Sequence, residues 1–80
     1  MDWLMTYQKN GKRIFSKREH SREAAYNIAF EHIKILTESY CKQGVQYRYT
    51  HKDDEICVET DNEKHVFEIA FSKMKTYKAV

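Results

Sequence analysis

Apolar and polar residues alternate near the start of the chain, which is the pattern of a half-buried β-strand. Trp3, Met5 and Tyr7 fall on one face of this strand. The pair Asn10-Gly11 follows it, and such a pair readily adopts the positive φ angles of a two-residue type I′ turn. The sequence therefore predicts a β-hairpin over residues 1–18.

A regular ladder extended from this turn pairs Tyr7 with Ile14 and Thr6 with Phe15. In that register Ile14 joins Trp3, Met5 and Tyr7 on the core face. The other face then carries an aromatic side chain between two cations, and aromatic and arginine side chains are frequent at protein-binding hot spots. We predict that this outer face presents Arg13, Phe15 and Lys17.

Residues 21–43 repeat apolar side chains at helical spacing, which predicts one long amphipathic helix. Ser21 is placed to accept a hydrogen bond from a free amide of the first turn. Gly44 suits the left-handed residue that ends a helix. The predicted core stripe of the helix comprises Tyr26, Ala29, Phe30, Ile33, Leu36 and Tyr40.

Three short alternating stretches occupy residues 45–71, namely VQYRYTH, ICVET and HVFEIAF. The polar segments KDDE and DNEK separate them. Alternating runs joined by short polar turns indicate an antiparallel meander of three strands. The tail, residues 72–80, either adds a last helical turn or frays.

These elements predict an α+β fold in which an antiparallel sheet of four to five strands carries one long helix on one face. Their order is β-β-α-β-β-β, within a single domain over residues 1–80. Neither the hairpin nor the meander could cover the helix stripe alone, so we expect both to belong to one sheet.

The composition excludes several classes of protein. A chain of 80 residues with 41% hydrophobic residues is foldable but leaves little room for a catalytic cavity. Its two glycines are isolated, so no glycine-rich phosphate loop is present. The Cys and His spacings do not match a structural zinc site, and Cys41 is interpreted as a small buried hydrophobe. We predict a non-enzymatic protein without metal or cofactor.

Two cysteines do not make a disulfide framework. The first residues lack the basic start and apolar core of a signal peptide. No apolar run approaches the roughly 20 residues that span a membrane. These features predict a cytoplasmic protein with reduced thiols and no membrane contact.

Charge is unevenly distributed, although the net charge is only +2. Residues 1–24 carry six Lys or Arg against three Asp or Glu, and residues 51–62 carry one Lys against five Asp or Glu. The segments therefore differ in sign, at +3 and −4. Two interpretations remain: the molecule has a basic end and an acidic end, or it has an ordinary solvated surface of mixed charge.

An acidic cluster, Asp53, Asp54 and Glu55, lies at the first corner of the meander. Asp side chains at such corners commonly bond their own backbone. The alternative is an exposed acidic protrusion that binds a basic patch on a partner.

Basic residues of the first segment suggest nucleic-acid binding, because clustered cations bind the phosphate backbone and an outward aromatic side chain can stack on an unpaired base. The arrangement W-x-M-x-Y…NGK…S-R-E-A-A resembles, over about the first half of the chain, the small β-sheet DNA-binding domains of phage tyrosine recombinases. The chain differs from that family in having two strands before the helix rather than three, and a meander after it. The cations concerned are Lys9, Lys12, Arg13, Lys17, Arg18 and Arg22.

We predict that the chain is a small non-catalytic binding protein, of the kind that phages and mobile elements use to modulate or inhibit a host protein. The alternative is a sheet-based nucleic-acid-binding domain that uses the basic hairpin. Pairing of two copies through an edge strand is a further option. Outward Leu4 and Phe15 would support binding, unless the tail covers them through Met74 and Tyr77. The predicted partner-binding residues are Arg13, Phe15, Lys17, Asp53, Asp54 and Glu55.

Overall fold

The computed structural model describes residues 2–72. It contains five strands and one helix in the predicted order, which confirms the α+β sandwich. The predicted tail and its contacts through Met74 and Tyr77 lie outside the described residues. The elements are β1 (Asp2–Lys9), β2 (Lys12–Glu19), α1 (Arg22–Gln43), β3 (Arg48–Lys52), β4 (Glu55–Glu59) and β5 (Lys64–Ser72).

All five strands form one antiparallel sheet in the order β2-β1-β5-β4-β3. The hairpin joins the meander where β1 pairs along its whole length with β5. The expectation of a shared sheet is therefore confirmed. The two edges of the sheet are β2 and β3.

Local residue chemistry fixes the ends of these elements as predicted. Asn10 and Gly11 take φ values of 53° and 83°, as a type I′ turn requires. The side chain of Ser21 accepts a hydrogen bond from the backbone N–H of Ala24 at 3.0 Å. Gly44 ends α1 in the left-handed conformation, with φ 72°. The Asn10 side chain also accepts from the Lys64 amide at 2.8 Å, which ties the hairpin turn to the start of β5.

The core lies between α1 and the central strands. Complete burial of one large aliphatic or aromatic side chain contributes roughly 1.5–3 kcal/mol, so this cluster provides the main stabilisation. Phe30, which we predicted in the core, is 42% exposed, and Ala25 is buried. Small residues at 25 and 29 let the helix approach the sheet closely. The buried cluster consists of Met5, Ala25, Ala29, Ile33, Tyr40, Ile56, Val58, Phe67 and Ile69.

The predicted register of the first hairpin is wrong beyond its first two pairs. Lys9 pairs with Lys12 and Gln8 with Arg13, but Tyr7 then pairs with Phe15. Ile14 is therefore an extra residue, a β-bulge in the edge strand. The bulge turns Phe15 to the helix side, where it packs against the core, and leaves Ile14 50% exposed.

The bulge also changes which face of the sheet each cation of β2 occupies relative to the predicted register. Directly paired residues share one face of a sheet. Lys12 pairs with Lys9 and Lys17 with the buried Met5, so both lysines lie on the helix side. Arg13 pairs with Gln8 and Arg18 with Leu4, on the face away from the helix. The predicted outer row of Arg13, Phe15 and Lys17 is thus divided between two faces.

β3 also differs from the prediction. It begins at Arg48 rather than at residue 45, and all five of its residues are exposed. The helix packs mainly on β1, β5 and β2, so it lies closer to the β2 edge. The inward residues of β4, Ile56 and Val58, are fully buried.

Deletion of Ile14 tests the bulge. It should regularise the hairpin while Phe15 stays opposite Tyr7, so the free energy of unfolding should change by less than about 1 kcal/mol. Denaturant unfolding measures this, with Phe15→Ala as the more destabilising comparison. In the bulge-free register, deletion would move Phe15 and all of the following strand to the opposite face. A large loss of stability would therefore contradict the bulge.

Candidate functional site

Within residues 2–72, β2 is an exposed edge strand whose neighbour in the sheet is β1. Such a strand presents unpaired backbone N–H and C=O groups along one side. Its cations flank this free backbone on both faces of the sheet, two lysines on the helix side and two arginines on the other. We define the β2 edge as residues 12–19.

The six cations considered for nucleic-acid binding do not form one patch. Four of them lie near carboxylates within the described chain: Lys9 is 3.6 Å from Glu63, Lys17 is 3.9 Å from Glu19 and Arg18 is 3.6 Å from Asp2. Arg22, the fourth, binds Asp54 at the start of α1, away from the hairpin turn. The positive charge of the first segment is therefore partly neutralised locally.

An apolar groove lies between β1, β5 and the flank of α1 that contacts β2 through His32. The ring of His32 is 5.1 Å from that of Phe15, and Phe15 is 5.6 Å from Tyr7. Ile35 is 68% exposed, the most exposed large apolar side chain in the described chain. The groove has a volume of about 180 Å³ and is lined by Tyr7, His32, Ile35, Leu36 and Phe67.

The acidic corner is part of the structural framework. Asp54 accepts hydrogen bonds from Arg22 at 2.5 Å and from the Tyr26 hydroxyl at 2.6 Å. The hydrogen bonds from Tyr26 and Arg22 hold the pKa of Asp54 below its usual range. Asp53 adopts a left-handed φ of 55° in the turn. This corner therefore anchors the start of α1, while Asp53 and Glu55 stay exposed.

A second exposed surface, which the sequence analysis did not identify, lies on the opposite flank of α1. The ring of Tyr26 is 5.7 Å from Phe30 and 5.6 Å from His51. Phe30 and Tyr49 are 42% and 46% exposed. The uneven placement of α1 over the sheet, which alternation alone does not reveal, leaves these rings uncovered.

A buried polar network connects the sheet to the end of α1. His65 is 2% exposed. Its Nδ1 is 2.7 Å from the Tyr7 hydroxyl and its Nε2 is 2.9 Å from the Tyr40 hydroxyl. Tyr40 donates to Glu63 at 2.8 Å. One proton arrangement satisfies every group: Tyr7 donates to Nδ1, and the Nε2–H group is shared between Tyr40 and the Glu63 carboxylate, which lies 3.1 Å from Nε2.

The pKa shifts within this network keep its tyrosines protonated and its carboxylate ionised. Burial, together with the bond to Glu63, raises the pKa of the Tyr40 hydroxyl. Burial also raises the pKa of Tyr7, so both hydroxyls keep their protons. The hydrogen bonds from Tyr40 and His65 lower the pKa of Glu63. Alternation along β5 places His65 on the same face as Phe67 and Ile69. It does not reveal Tyr7 and Tyr40, which lie 58 and 25 residues away from His65 in the chain.

The two cysteines differ in burial. Cys41, which we predicted to be buried, is exposed, because it lies one residue off the core stripe. Burial raises the pKa of the partly buried Cys57, which opposes thiolate formation. Within residues 2–72, no three His, Cys, Asp or Glu groups are placed to hold a metal ion. In the same part of the chain, α1 does not have the apolar character of a membrane-spanning helix.

Comparison with protein-family models, with curated proteins and with solved structures gives no match.

The pH dependence of unfolding tests the buried network. The lowered pKa of Glu63 means that its carboxylate stabilises the fold above its ordinary pKa of 4.5 and that this contribution is lost as the pH falls through the folded value. Glu63→Gln should therefore lower stability at about pH 7 and should flatten the loss of stability that the wild type shows as the pH falls below 4.5. Urea unfolding across this range measures the effect. Glu31→Gln, on the solvent side of α1, is the control and should lose stability with falling pH as the wild type does. The same pH dependence in Glu63→Gln would contradict the stabilising role of Glu63.

Proposed function

We propose that this domain is a non-catalytic protein-binding module whose β2 edge accepts an acidic, extended segment of a partner protein as a sixth strand. The proposal rests on one observation: cations lie on both faces of β2, which is an edge strand of the sheet in the described part of the chain. Lys12 and Lys17 lie on the helix side, and Arg13 and Arg18 lie on the other face.

Strand addition suits this arrangement. An extended peptide forms main-chain hydrogen bonds with an open sheet edge, and its side chains alternate between the two faces of the sheet. Carboxylates on alternate sides of such a peptide would therefore meet cations on each side of β2. Opposite charges at paired positions stabilise a sheet, so the charge pattern selects an acidic partner.

The same pattern disfavours a second copy of this chain at the β2 edge. Antiparallel pairing of two β2 strands would be symmetric, with Lys12 and Arg13 of each copy near Lys17 and Arg18 of the other. Like charges at paired positions destabilise a sheet. Pairing of two copies through an edge thus remains a weaker prediction than binding of an acidic partner.

Nucleic-acid binding is the second candidate, and the exposure of Lys12 and Arg13 beside the hairpin turn favours it. A surface that tracks a phosphate backbone gains most from cations on one side, whereas these cations are divided between two faces. Modulation of a host protein by a phage or mobile element stays a prediction from the sequence.

A defined peptide tests the proposal. The probe is fluorescent Glu-Glu-Thr-Thr-Thr-Glu-Glu, which reads the same in either strand direction, with Lys-Lys-Thr-Thr-Thr-Lys-Lys as its charge-reversed control. We expect saturable binding of the acidic peptide alone at low salt, measured by fluorescence anisotropy. Arg13→Glu combined with Lys17→Glu, one cation from each face, should weaken binding roughly tenfold or more.

Matched controls separate strand addition from charge attraction. Lys34→Glu with Lys42→Glu makes the same charge change on exposed positions of α1 and should leave binding nearly unchanged. Methylation of alternate backbone nitrogens of the peptide keeps its charge but removes ladder donors, so it should abolish binding. Equal binding of the methylated peptide would contradict strand addition. Preference for single-stranded DNA over the peptide, with a steep salt dependence, would favour the second candidate.

A further inference from the structure

We infer that the segment that adds to the β2 edge carries a large apolar side chain opposite Phe15, and that this side chain packs under the exposed flank of α1 against His32 and Ile35. This inference rests on the proposed function and specifies the partner of the same edge. The partner would be an amphipathic strand, not merely an acidic one.

The position of α1 brings its flank within reach of an added strand. The helix packs on β2 as well as on the central strands, and the His32 ring lies 5.1 Å from that of Phe15. An added strand would lie about 4.8 Å beyond β2, and its helix-facing side chains would point into the same layer as Phe15. A side chain paired with Phe15 would therefore contact both Phe15 and the flank of the helix.

The flank is apolar where this side chain would arrive. Ile35 is 68% exposed, and it borders the groove of about 180 Å³ between the helix and the sheet. Phe15 is only partly buried against the core. A large apolar side chain at this position would cover both residues and extend the core by one strand.

The charges of β2 fix the register of the partner around that apolar residue. On the helix side, Lys12 and Lys17 flank Phe15, and on the other face Arg13 and Arg18 flank Ser16. A complementary strand thus has acidic pairs at both ends and an apolar residue at its centre, facing the helix. This pattern describes the partner by chemistry: acidic, apolar in the middle and extended.

Replacing the central Thr of the acidic peptide by Leu tests the inference. Glu-Glu-Thr-Leu-Thr-Glu-Glu should bind the full chain roughly tenfold more tightly than the Thr-centred peptide, the gain expected from burying part of one Leu side chain. Ile35→Ser should remove this gain. Phe30→Ser removes an exposed apolar side chain from the opposite flank of the same helix and should preserve it.

The outcomes separate the inference from the proposed function. If both peptides bind with equal affinity to the wild-type chain, the strand-addition proposal stands and the apolar contact is wrong. If the gain survives Ile35→Ser but is lost in Phe30→Ser, the Leu side chain lies on the other flank, which also overturns the inference. If neither peptide binds, the proposed function itself fails. Thermal unfolding of both variants checks that each is folded, as expected for changes at exposed positions.

Discussion

Within residues 2–72, the width of the sheet relative to the one helix that covers it is the constraint on which the rest of the structure depends. Five strands spaced about 4.8 Å apart make a layer that one helix of about 10–12 Å diameter cannot cover. The core therefore concentrates at the centre, where Met5, Phe67 and Ile69 are buried beneath α1. In the part of the chain that the structure describes, both edge strands and both flanks of the helix are exposed, and these exposed surfaces are where binding can occur.

Exposed edge strands can pair with other chains indiscriminately, and this sheet has features that oppose such pairing. The β2 edge combines a bulge at Ile14 with four cations, and β3 is short, with cations at Arg48 and Lys52. Charges, bulges and short length are the usual protections of edge strands. Both edges are cationic, so repulsion between like charges opposes pairing of two copies. The bulge places the β2 cations on both faces of the sheet, where the proposed acidic partner would meet them.

Local signals in the sequence predicted most of the fold but only part of the site. The Asn10-Gly11 turn, the Ser21 cap and the strand order along the chain were recoverable because each depends on neighbouring residues. The register of β2 was not, because Ile14 and Phe15 are both apolar and alternation cannot choose between them. Packing of Phe15 beneath α1 decides that choice. The network around His65 was equally hidden, because its partners come together through tertiary contacts.

The central claim is that the free backbone of β2 binds an acidic strand. Residue-resolved amide hydrogen exchange, with and without the acidic peptide, tests it most directly. We expect the outward-pointing amides of residues 12–19 to become protected in the complex, while exchange in β3 is unchanged. Protection confined to β3, or binding of the peptide without any new protected amide in β2, would contradict it.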